Sequence, residues 1–145
     1  MKKPIAVAMV ALAALAAASL ALASGTAVKT AKISPFGTVL VGPNGHSLYY
    51  FAADKGRTSA CSGQCAAFWP PLTTTGKPTS SGGAKASLLG TTARPGGVEQ
   101  VTYDGHPVYY FAEDKKAGQT AGQDFLGFGA RWYLISPSGA AITKK

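Results

Sequence analysis

An eleven-residue segment occurs twice in the chain. Residues 45–55 read GHSLYYFAADK and residues 105–115 read GHPVYYFAEDK, with eight of the eleven positions identical. Self-similarity at a fixed separation is the signature of a duplicated structural unit that cannot bury its apolar face alone. The duplication therefore predicts two copies of one β unit that pack against each other.

Each copy begins with a dipeptide that is typical of a tight β-hairpin. Asn44-Gly45 and Asp104-Gly105 favour two-residue type I′ turns, because both central residues of that turn have positive φ. Gly45 and Gly105 are thus predicted to be structural. The β-branched and aromatic residues that follow suit strands, and we predict second strands over residues 48–52 and 108–112.

In-register pairing across these turns would place Val41 opposite Leu48, and Val101 opposite Val108. Strand alternation then sorts the side chains onto two faces. One face would carry the first and third aromatic residues of each copy, and the other face the remaining apolar ones: Tyr49, Phe51, Tyr109 and Phe111 on the first, and Leu48, Tyr50, Val108 and Tyr110 on the second.

The repeated aromatic and acidic residues allow two interpretations. Tyr49, Phe51, Tyr109 and Phe111 can form the core, with Asp54 and Asp114 fixing the exit loops through bonds from backbone N–H groups. Alternatively, the same six residues form a binding surface. Aromatic residues at alternating strand positions are usually core, so the first interpretation is favoured.

Cys61 and Cys65 are the two cysteines of the chain. Their spacing places them one turn apart in a short helix that Pro70 and Pro71 end, close enough for a bridge. We therefore predict a disulfide, buried against Trp69, with Trp69 and Trp132 as structural residues.

The ends of the chain indicate export. Lys2 and Lys3 precede an uncharged, apolar stretch and an Ala21-Leu22-Ala23 site, so residues 1–23 are predicted to be a signal peptide and Ser24 the new N-terminus; an uncleaved membrane anchor is the alternative. Cleavage leaves 12 of 14 basic residues against six acidic ones, a net charge of +6. The bases are scattered, so no nucleic-acid partner is expected.

Composition divides the remaining chain. Residues 24–36 are predicted to be a flexible N-terminal segment, and residues 37–145 a single β domain. Its repeats would cover residues 37–72 and 98–137, joined by a Gly-, Ser- and Thr-rich loop at 73–97.

Signatures of chemistry are weak. His46 and His106 follow the turns, and their spacing from the cysteines does not suit zinc, so no metal is predicted. The cysteine spacing matches neither covalent haem nor a thioredoxin-type dithiol, so no cofactor is expected. Hydrolase, metalloprotease and phosphate-loop motifs are absent from the sequence, which predicts a protein that is not an enzyme.

Together these motifs resemble a family of bacterial secreted or lipid-anchored repeat proteins with a Y-x-[FWY]-x-x-D motif. Residues 49–54 and 109–114 match that motif, residues 61–72 match the family's C-x-G-x-C-A-x-x-W-P-P-L element, and Trp132-Tyr133 match its closing W-Y. Many relatives carry a lipid-anchoring cysteine that this chain lacks, which favours a protein with no stable membrane anchor after signal cleavage. The resemblance implies an exported protein of unknown role, and some members are linked to cell-surface redox partners.

The sequence thus predicts an all-β fold, in which duplicated hairpins form a small antiparallel sandwich or barrel-like domain with one short helix near the cysteines. The expected function is a non-catalytic, periplasmic or secreted module that binds an unidentified envelope protein or surface ligand. The alternative is an envelope redox accessory protein that docks an electron carrier or uses the Cys61/Cys65 pair.

Overall fold

The computed structural model describes residues 25–145, so the predicted signal peptide lies outside the described residues. Ten short strands dominate this part of the chain, with one α-helix and one 3₁₀ turn at Ala86–Leu88. The elements are β1 (Ala27–Ile33), β2 (Gly37–Val41), β3 (Tyr49–Phe51), α1 (Gln64–Phe68), β4 (Thr73–Thr74), β5 (Thr79–Ser80), β6 (Leu89–Arg94), β7 (Val98–Tyr103), β8 (His106–Pro107), β9 (Phe125–Gly127) and β10 (Ala130–Leu134).

The strands form three small sheets. One has the order β2-β1-β5, the second β3-β10-β9, and the third β4-β7-β6 with β8 also paired to β7. All neighbouring pairs are antiparallel except β1 and β5. The prediction of a small, mostly antiparallel β protein with one short helix near the cysteines is confirmed, and within residues 25–145 the sheets do not close into a barrel.

Two segments that the composition predicted to be irregular contain strands. Residues 24–36 include β1, which pairs with β2 on one side and β5 on the other and buries Val28. The predicted loop 73–97 includes β4, β5 and β6. Ala, Lys, Thr and Gly give these segments only a weak alternation of apolar and polar side chains. Pairing with the apolar strands beside them therefore decides their structure.

The two predicted turns differ. Asp104 and Gly105 both have positive φ, and Tyr103 pairs with His106, which confirms a two-residue turn in the second copy. In the first copy the Gly45 N–H donates to Gly42 O, and the Gly42 N–H donates to His46 O. Pro43 fixes its own φ and favours the second position of a type I turn, so this loop is one residue longer than predicted.

The longer loop shifts the register. Val41 lies opposite Ser47, and the Leu48 N–H donates to Leu40 O, so the predicted Val41–Leu48 pairing is wrong. In the second copy the Val108 N–H donates to Val101 O, as predicted.

The predicted second strands are also shorter than expected. β3 covers residues 49–51 and pairs with β10. Its counterpart in the second copy is extended backbone rather than a regular strand: the Tyr110 N–H donates to Pro70 O and the Ala112 N–H to Phe68 O. Pro70 and Pro71 have no N–H to return, so a complete ladder cannot form there.

The core has two parts, as the alternation predicted. The first and third aromatic residues of each copy join the cysteines and both tryptophans in one buried cluster. Leu48 and Val108 belong to a second cluster, against which Tyr50 and Tyr110 pack. The segment between them is thus covered on both faces.

Candidate functional site

The two copies of the repeated segment meet each other through their backbones. The Tyr49 N–H donates to Tyr109 O at 2.8 Å, and the Tyr109 N–H donates to Tyr49 O at 3.1 Å. This antiparallel bridge relates the two copies by an approximate twofold symmetry. It brings each copy's tyrosine close to the exit loop of the other copy.

The tyrosine and aspartate of the motif bond between copies rather than within one. The Tyr49 hydroxyl donates to Asp114 Oδ2 at 2.6 Å, and the Tyr109 hydroxyl donates to Asp54 Oδ2 at 2.7 Å. The second carboxylate oxygen of each aspartate accepts a loop N–H, from Ala60 at 2.7 Å and from Ala121 at 2.9 Å. Each aspartate therefore fixes its own exit loop, as predicted, and also joins the two repeats.

Burial sets the protonation of these groups. Burial raises the pKa of Tyr49, and its bond to Asp114 raises it further. Burial likewise raises the pKa of Tyr109; the contact with Ser59 opposes this shift and the bond to Asp54 adds to it. Both phenols therefore stay protonated as donors over the physiological range.

The Asp54 carboxyl has a raised pKa because of its burial, against the lowering effect of the Ala60 N–H and the Tyr109 hydroxyl. The positive charge of Arg94 also lowers the pKa of Asp54. Arg94 approaches through a network beside the disulfide, in which its guanidinium donates to Ser59 Oγ at 2.8 Å and to Cys61 O at 2.7 Å. Asp54 thus has an arginine in its surroundings that helps to stabilise the carboxylate.

Four aromatic rings stack through the centre of the first cluster. Their order is Phe51, Trp132, Trp69 and Phe111, with centroid separations of 3.9, 3.9 and 4.1 Å. Tyr49 meets Trp69 edge-on at 5.3 Å, while Tyr109 meets Trp132 in the same way at 5.1 Å. The rings alternate between the two repeats, so this stack makes the two halves interdependent.

The disulfide is present and buried, as predicted. Cys61 and Cys65 are bonded, with their Cα atoms 5.2 Å apart, and both belong to the same cluster as Trp69. The bridge ties the start of α1 to the loop before it. It is part of the same buried cluster as the aromatic stack.

An aromatic cavity of about 390 Å³ opens at the Phe111 end of the stack. Trp69 and Phe111 form its buried floor. Three phenylalanines that line it are partly exposed, Phe68 by 42%, Phe125 by 41% and Phe128 by 45%. Volumes of this size are typical of small-molecule sites, and exposed apolar patches mark interaction surfaces.

One wall of the cavity is held in an unfavourable conformation. Phe128 has a φ of 55° and is followed by Gly129 with a φ of 90°, so they form a type I′ turn between β9 and β10. Asn, Asp and Gly are the residues that occur most often at the first of these positions. A bulky residue with positive φ there destabilises the turn. A strained residue that presents a half-exposed ring points to a role in function rather than in stability.

The cavity is also where the approximate symmetry breaks. Trp132 Nε1 donates to Gly127 O at 3.0 Å, whereas Trp69 Nε1 is buried without a hydrogen-bond partner among residues 25–145. Glu113, the one charged residue among the described residues that line the cavity, stands where the first copy has Ala53. The second copy thus carries a glutamate, Glu113, at a position where the repeated architecture does not require one.

The histidines do not come together as a metal site. His106 packs edge-on against Tyr50, with ring centroids 4.7 Å apart, and His46 packs against Tyr110 at 6.4 Å. Each histidine therefore contacts a tyrosine of the other copy. Within the described range, no three residues of the metal-binding types lie close enough to hold an ion.

The six motif residues and both tryptophans are therefore in the core, which is the first of the two interpretations. Sequence reasoning missed Phe68, Phe125, Phe128 and Glu113, which come from three separate segments. It also missed Gly122, whose N–H donates to the Tyr49 hydroxyl at 3.2 Å. A Cβ at Gly122 would lie 2.7 Å from the Trp69 ring, so this loop approaches the stack only because the residue is glycine.

These features define a duplicated β protein whose two repeats exchange hydrogen bonds and aromatic rings. The chain belongs to the family described as "secreted repeat of unknown function", whose model matches residues 30–73 and 90–136. The family's description as secreted agrees with the predicted export. No curated protein and no solved structure matches the chain. Over residues 25–145 the structure contains no helix of the length and apolar character needed to cross a membrane.

Proposed function

We propose that this protein is a non-catalytic binding module of the cell envelope, and that the aromatic cavity is its binding site. The observation that carries the proposal is the group of three half-exposed phenylalanines, Phe68, Phe125 and Phe128, around one cavity. Leaving these rings in water forgoes the favourable free energy of burying them. A ligand or partner that covers them would recover that free energy.

The repeated motif supports this division of roles. Tyr49 and Tyr109 are buried, and their hydroxyls are bonded to Asp114 and Asp54. A ligand would have to displace these charge-assisted bonds to reach the carboxylates. We therefore assign the motif to the scaffold and the binding to the cavity above it.

The titratable groups favour binding over catalysis. Within residues 25–145, Glu113 is the one titratable residue that lines the cavity. General acid–base catalysis and nucleophilic catalysis usually need a second polar group within hydrogen-bond reach, and the other lining residues of the described part of the chain are phenylalanines and a tryptophan.

The alternative role, as a redox accessory protein, has less support. Cys61 is fully buried and Cys65 is 6% exposed. Thiol–disulfide exchange requires access of an attacking thiolate to one of the two sulfurs. A binding role at the envelope, in the periplasm or outside the cell, is therefore the function that we propose.

The experiment uses immobilised wild-type protein and envelope extract, with bound proteins and small molecules identified by mass spectrometry. Phe128→Asn and Phe68→Ala remove cavity walls, and Val98→Ser removes an equally exposed apolar residue on β7 as the control. We expect bound material that both cavity variants lose and the control retains. The proposal is wrong if every component that wild type binds is bound equally by the cavity variants.

Folding of the variants is checked by thermal unfolding. Phe128→Asn loses roughly half of a ring's burial, about 1 kcal/mol, and gains about as much from the better turn residue. Its stability should therefore stay within about 1 kcal/mol of wild type, so that a loss of binding cannot be attributed to unfolding.

A further inference from the structure

We propose that the protein has a second binding site, in which Arg94 binds a small oxyanion, the carboxylate or phosphate group of a ligand. The site is a polar pocket of about 280 Å³ between the disulfide loop and the end of β6, which we call the Arg94 pocket. It shares no lining residue of the described chain with the aromatic cavity. The inference therefore does not rest on the function proposed above.

Three neutral oxygens hold the Arg94 guanidinium in place. Nη1 donates to Ser59 Oγ at 2.8 Å and to Gln100 Oε1 at 2.9 Å, and Nη2 donates to Cys61 O at 2.7 Å. Ser59 Oγ and Cys61 O lie 3.2 Å apart, so they accept from the end of the guanidinium that Nη1 and Nη2 form. Gln100 is fully buried and Cys61 is bonded to Cys65, so these acceptors are themselves fixed.

One edge of the guanidinium remains for a ligand. Arginine has five N–H donors, and these contacts use three of them. The other two, on Nε and Nη2, lie along one edge and form the planar pair that matches a carboxylate or phosphate. In the described part of the chain, the buried side-chain atoms without a partner are Trp69 Nε1 and His106 Nδ1. Arg94 Nε also has no partner there, and it is therefore not buried.

The charge of Arg94 is not matched by an adjacent carboxylate. Over residues 25–145 the ion pairs go to Asp124, and Arg94 takes part in none of them. The two oxygens of Asp54 already accept a loop N–H and a tyrosine hydroxyl, so Asp54 acts on Arg94 from a greater distance. A fixed arginine with neutral acceptors alone keeps its capacity for charge-assisted bonds to an anion.

The other residues of the Arg94 pocket also suit an anion. Three of them carry hydroxyl groups that make no hydrogen bond within the described range: Thr58, Ser62 and Thr92. These hydroxyls can donate to further oxygens of a bound anion. None of the described lining residues is acidic. Lys55 and Arg57, exposed in the turn beside Thr58, add positive charge.

The duplication shows that the repeated bonds form without such an arginine. In the second copy Asp114 accepts from the Tyr49 hydroxyl and from the Ala121 N–H, as Asp54 does from its own partners. Arg131, which lies nearest to that copy's exit loop in sequence, donates to Asp124 O instead. Arg94 is thus an addition of the first copy and not part of the repeated architecture.

The test observes the proposed edge directly, by proton–nitrogen correlation spectra of the arginine side chains. The chain has three arginines, Arg57, Arg94 and Arg131, and each gives one Nε–H signal. The variants Arg57→Lys, Arg94→Lys and Arg131→Lys assign these signals. Inorganic phosphate, acetate and acetamide are the probes, titrated at constant ionic strength so that general screening does not change.

Phosphate, acetate or both should shift the Arg94 signal to saturation, while the Arg57 and Arg131 signals stay in place. A response to one of the two anions alone would identify the group that the site takes. Acetamide has the shape of acetate without its charge, so it should leave the Arg94 signal unchanged.

Calorimetric dissociation constants of the variants locate the binding energy. Arg94→Lys keeps the charge and loses the bidentate edge, so it should weaken binding of the responding anion about tenfold. Thr92→Val keeps the shape and removes one hydroxyl, and should weaken binding about threefold. Arg131→Lys, the matched control outside the Arg94 pocket, should bind as wild type does. Urea unfolding verifies that each variant is folded.

Equal shifts of all three arginine signals would indicate general attraction to a basic protein and would overturn the inference. The absence of a saturable Arg94 shift, an acetamide shift as large as that of acetate, or unchanged affinity in Arg94→Lys would also overturn it. The function of the aromatic cavity is decided separately by the envelope-extract experiment, which uses none of these probes.

Discussion

The exchange of hydrogen bonds between the repeats predicts a specific pattern of energetic coupling. Tyr49 bonds Asp114, and Tyr109 bonds Asp54, at 2.6 and 2.7 Å in buried surroundings. Changing a tyrosine to phenylalanine keeps the ring and removes the donor. Changing an aspartate to asparagine keeps the shape and removes the charge.

The magnitude follows from the contacts. A hydrogen bond to a charged group contributes roughly 1.5–3 kcal/mol. Tyr49→Phe also leaves the Gly122 N–H without its acceptor, and Tyr109→Phe removes the 2.6 Å contact with Ser59. Each tyrosine variant should therefore lose about 2–3 kcal/mol, which lowers the melting temperature of a domain of this size by about 6–12 °C.

Asp54→Asn and Asp114→Asn should each cost about 1–2 kcal/mol, because one acceptor oxygen remains and the amide can donate to the tyrosine oxygen. The two costs should be similar, since each carboxylate accepts one hydroxyl and one loop N–H.

Double-mutant cycles from urea unfolding, followed by tryptophan fluorescence, test the pairing. The cycles Tyr49/Asp114 and Tyr109/Asp54 should give coupling free energies of about 1–2 kcal/mol. The cycles within one copy, Tyr49/Asp54 and Tyr109/Asp114, should be additive to about 0.5 kcal/mol. Larger coupling within a copy than between copies would refute the reciprocal arrangement.

Three further predictions concern the scaffold. Phe51→Ala and Phe111→Ala should each cost about 3–5 kcal/mol, measured by urea unfolding, and near-native stability of both variants would contradict their place in the core. Cys61 and Cys65 should resist a thiol reagent in the native, unreduced protein, and replacing both with alanine should cost roughly 2 kcal/mol for so short a loop; labelling of two thiols without reductant would contradict the bridge. Stability should be intact up to about pH 10 and fall above it by roughly 1.4 kcal/mol per pH unit for each of Tyr49 and Tyr109, because the unfolded chain releases phenolic protons that the folded one retains. The variant Tyr49→Phe/Tyr109→Phe should show a flatter alkaline limb in a pH series of melting curves, and an unchanged slope would count against the raised pKa values.

Local patterns in the sequence were sufficient to predict which side chains lie on each of the two faces of the repeat. Alternation separated Tyr49 and Phe51 from Leu48 and Tyr50, and the structure places these pairs in the two clusters. The spacing of Cys61 and Cys65 was likewise enough to predict their bond. These features depend on neighbours within a few residues, so periodicity and spacing determine them.

The errors have both local and distant causes. Pro43 lengthened the first turn and moved Ser47 into the position expected for Leu48. The weak strand β1 forms because β2 and β5 lie beside it, which composition cannot show. The motif also gave no indication that its tyrosine and aspartate bond between copies, whereas the twofold arrangement joins Tyr49 to Asp114 and Tyr109 to Asp54.

The cavity could not be predicted because its walls come from separate parts of the chain. Phe68 ends α1, Phe125 begins β9, and Phe128 lies in a turn of a Gly-rich stretch. One signal was available in the sequence: a phenylalanine between Gly127 and Gly129 is an unusual residue for a tight turn.

The two tryptophans offer the most direct measurement of the central claim, that the cavity binds ligands and the repeated motif builds the scaffold. Each indole N–H gives one signal in a proton–nitrogen correlation spectrum of labelled protein, and the chain has two tryptophans. Trp69 lines the cavity, whereas Trp132 is stacked against the other face of Trp69 and its indole N–H donates to Gly127 O.

On titration with 2-phenylethanol, which carries no charge, the Trp69 signal should shift progressively and the Trp132 signal should move much less. In Phe128→Asn the Trp69 shift should be lost, and in Asp114→Asn it should be retained. Equal shifts of both signals, or loss of the Trp69 shift in Asp114→Asn alone, would contradict the account.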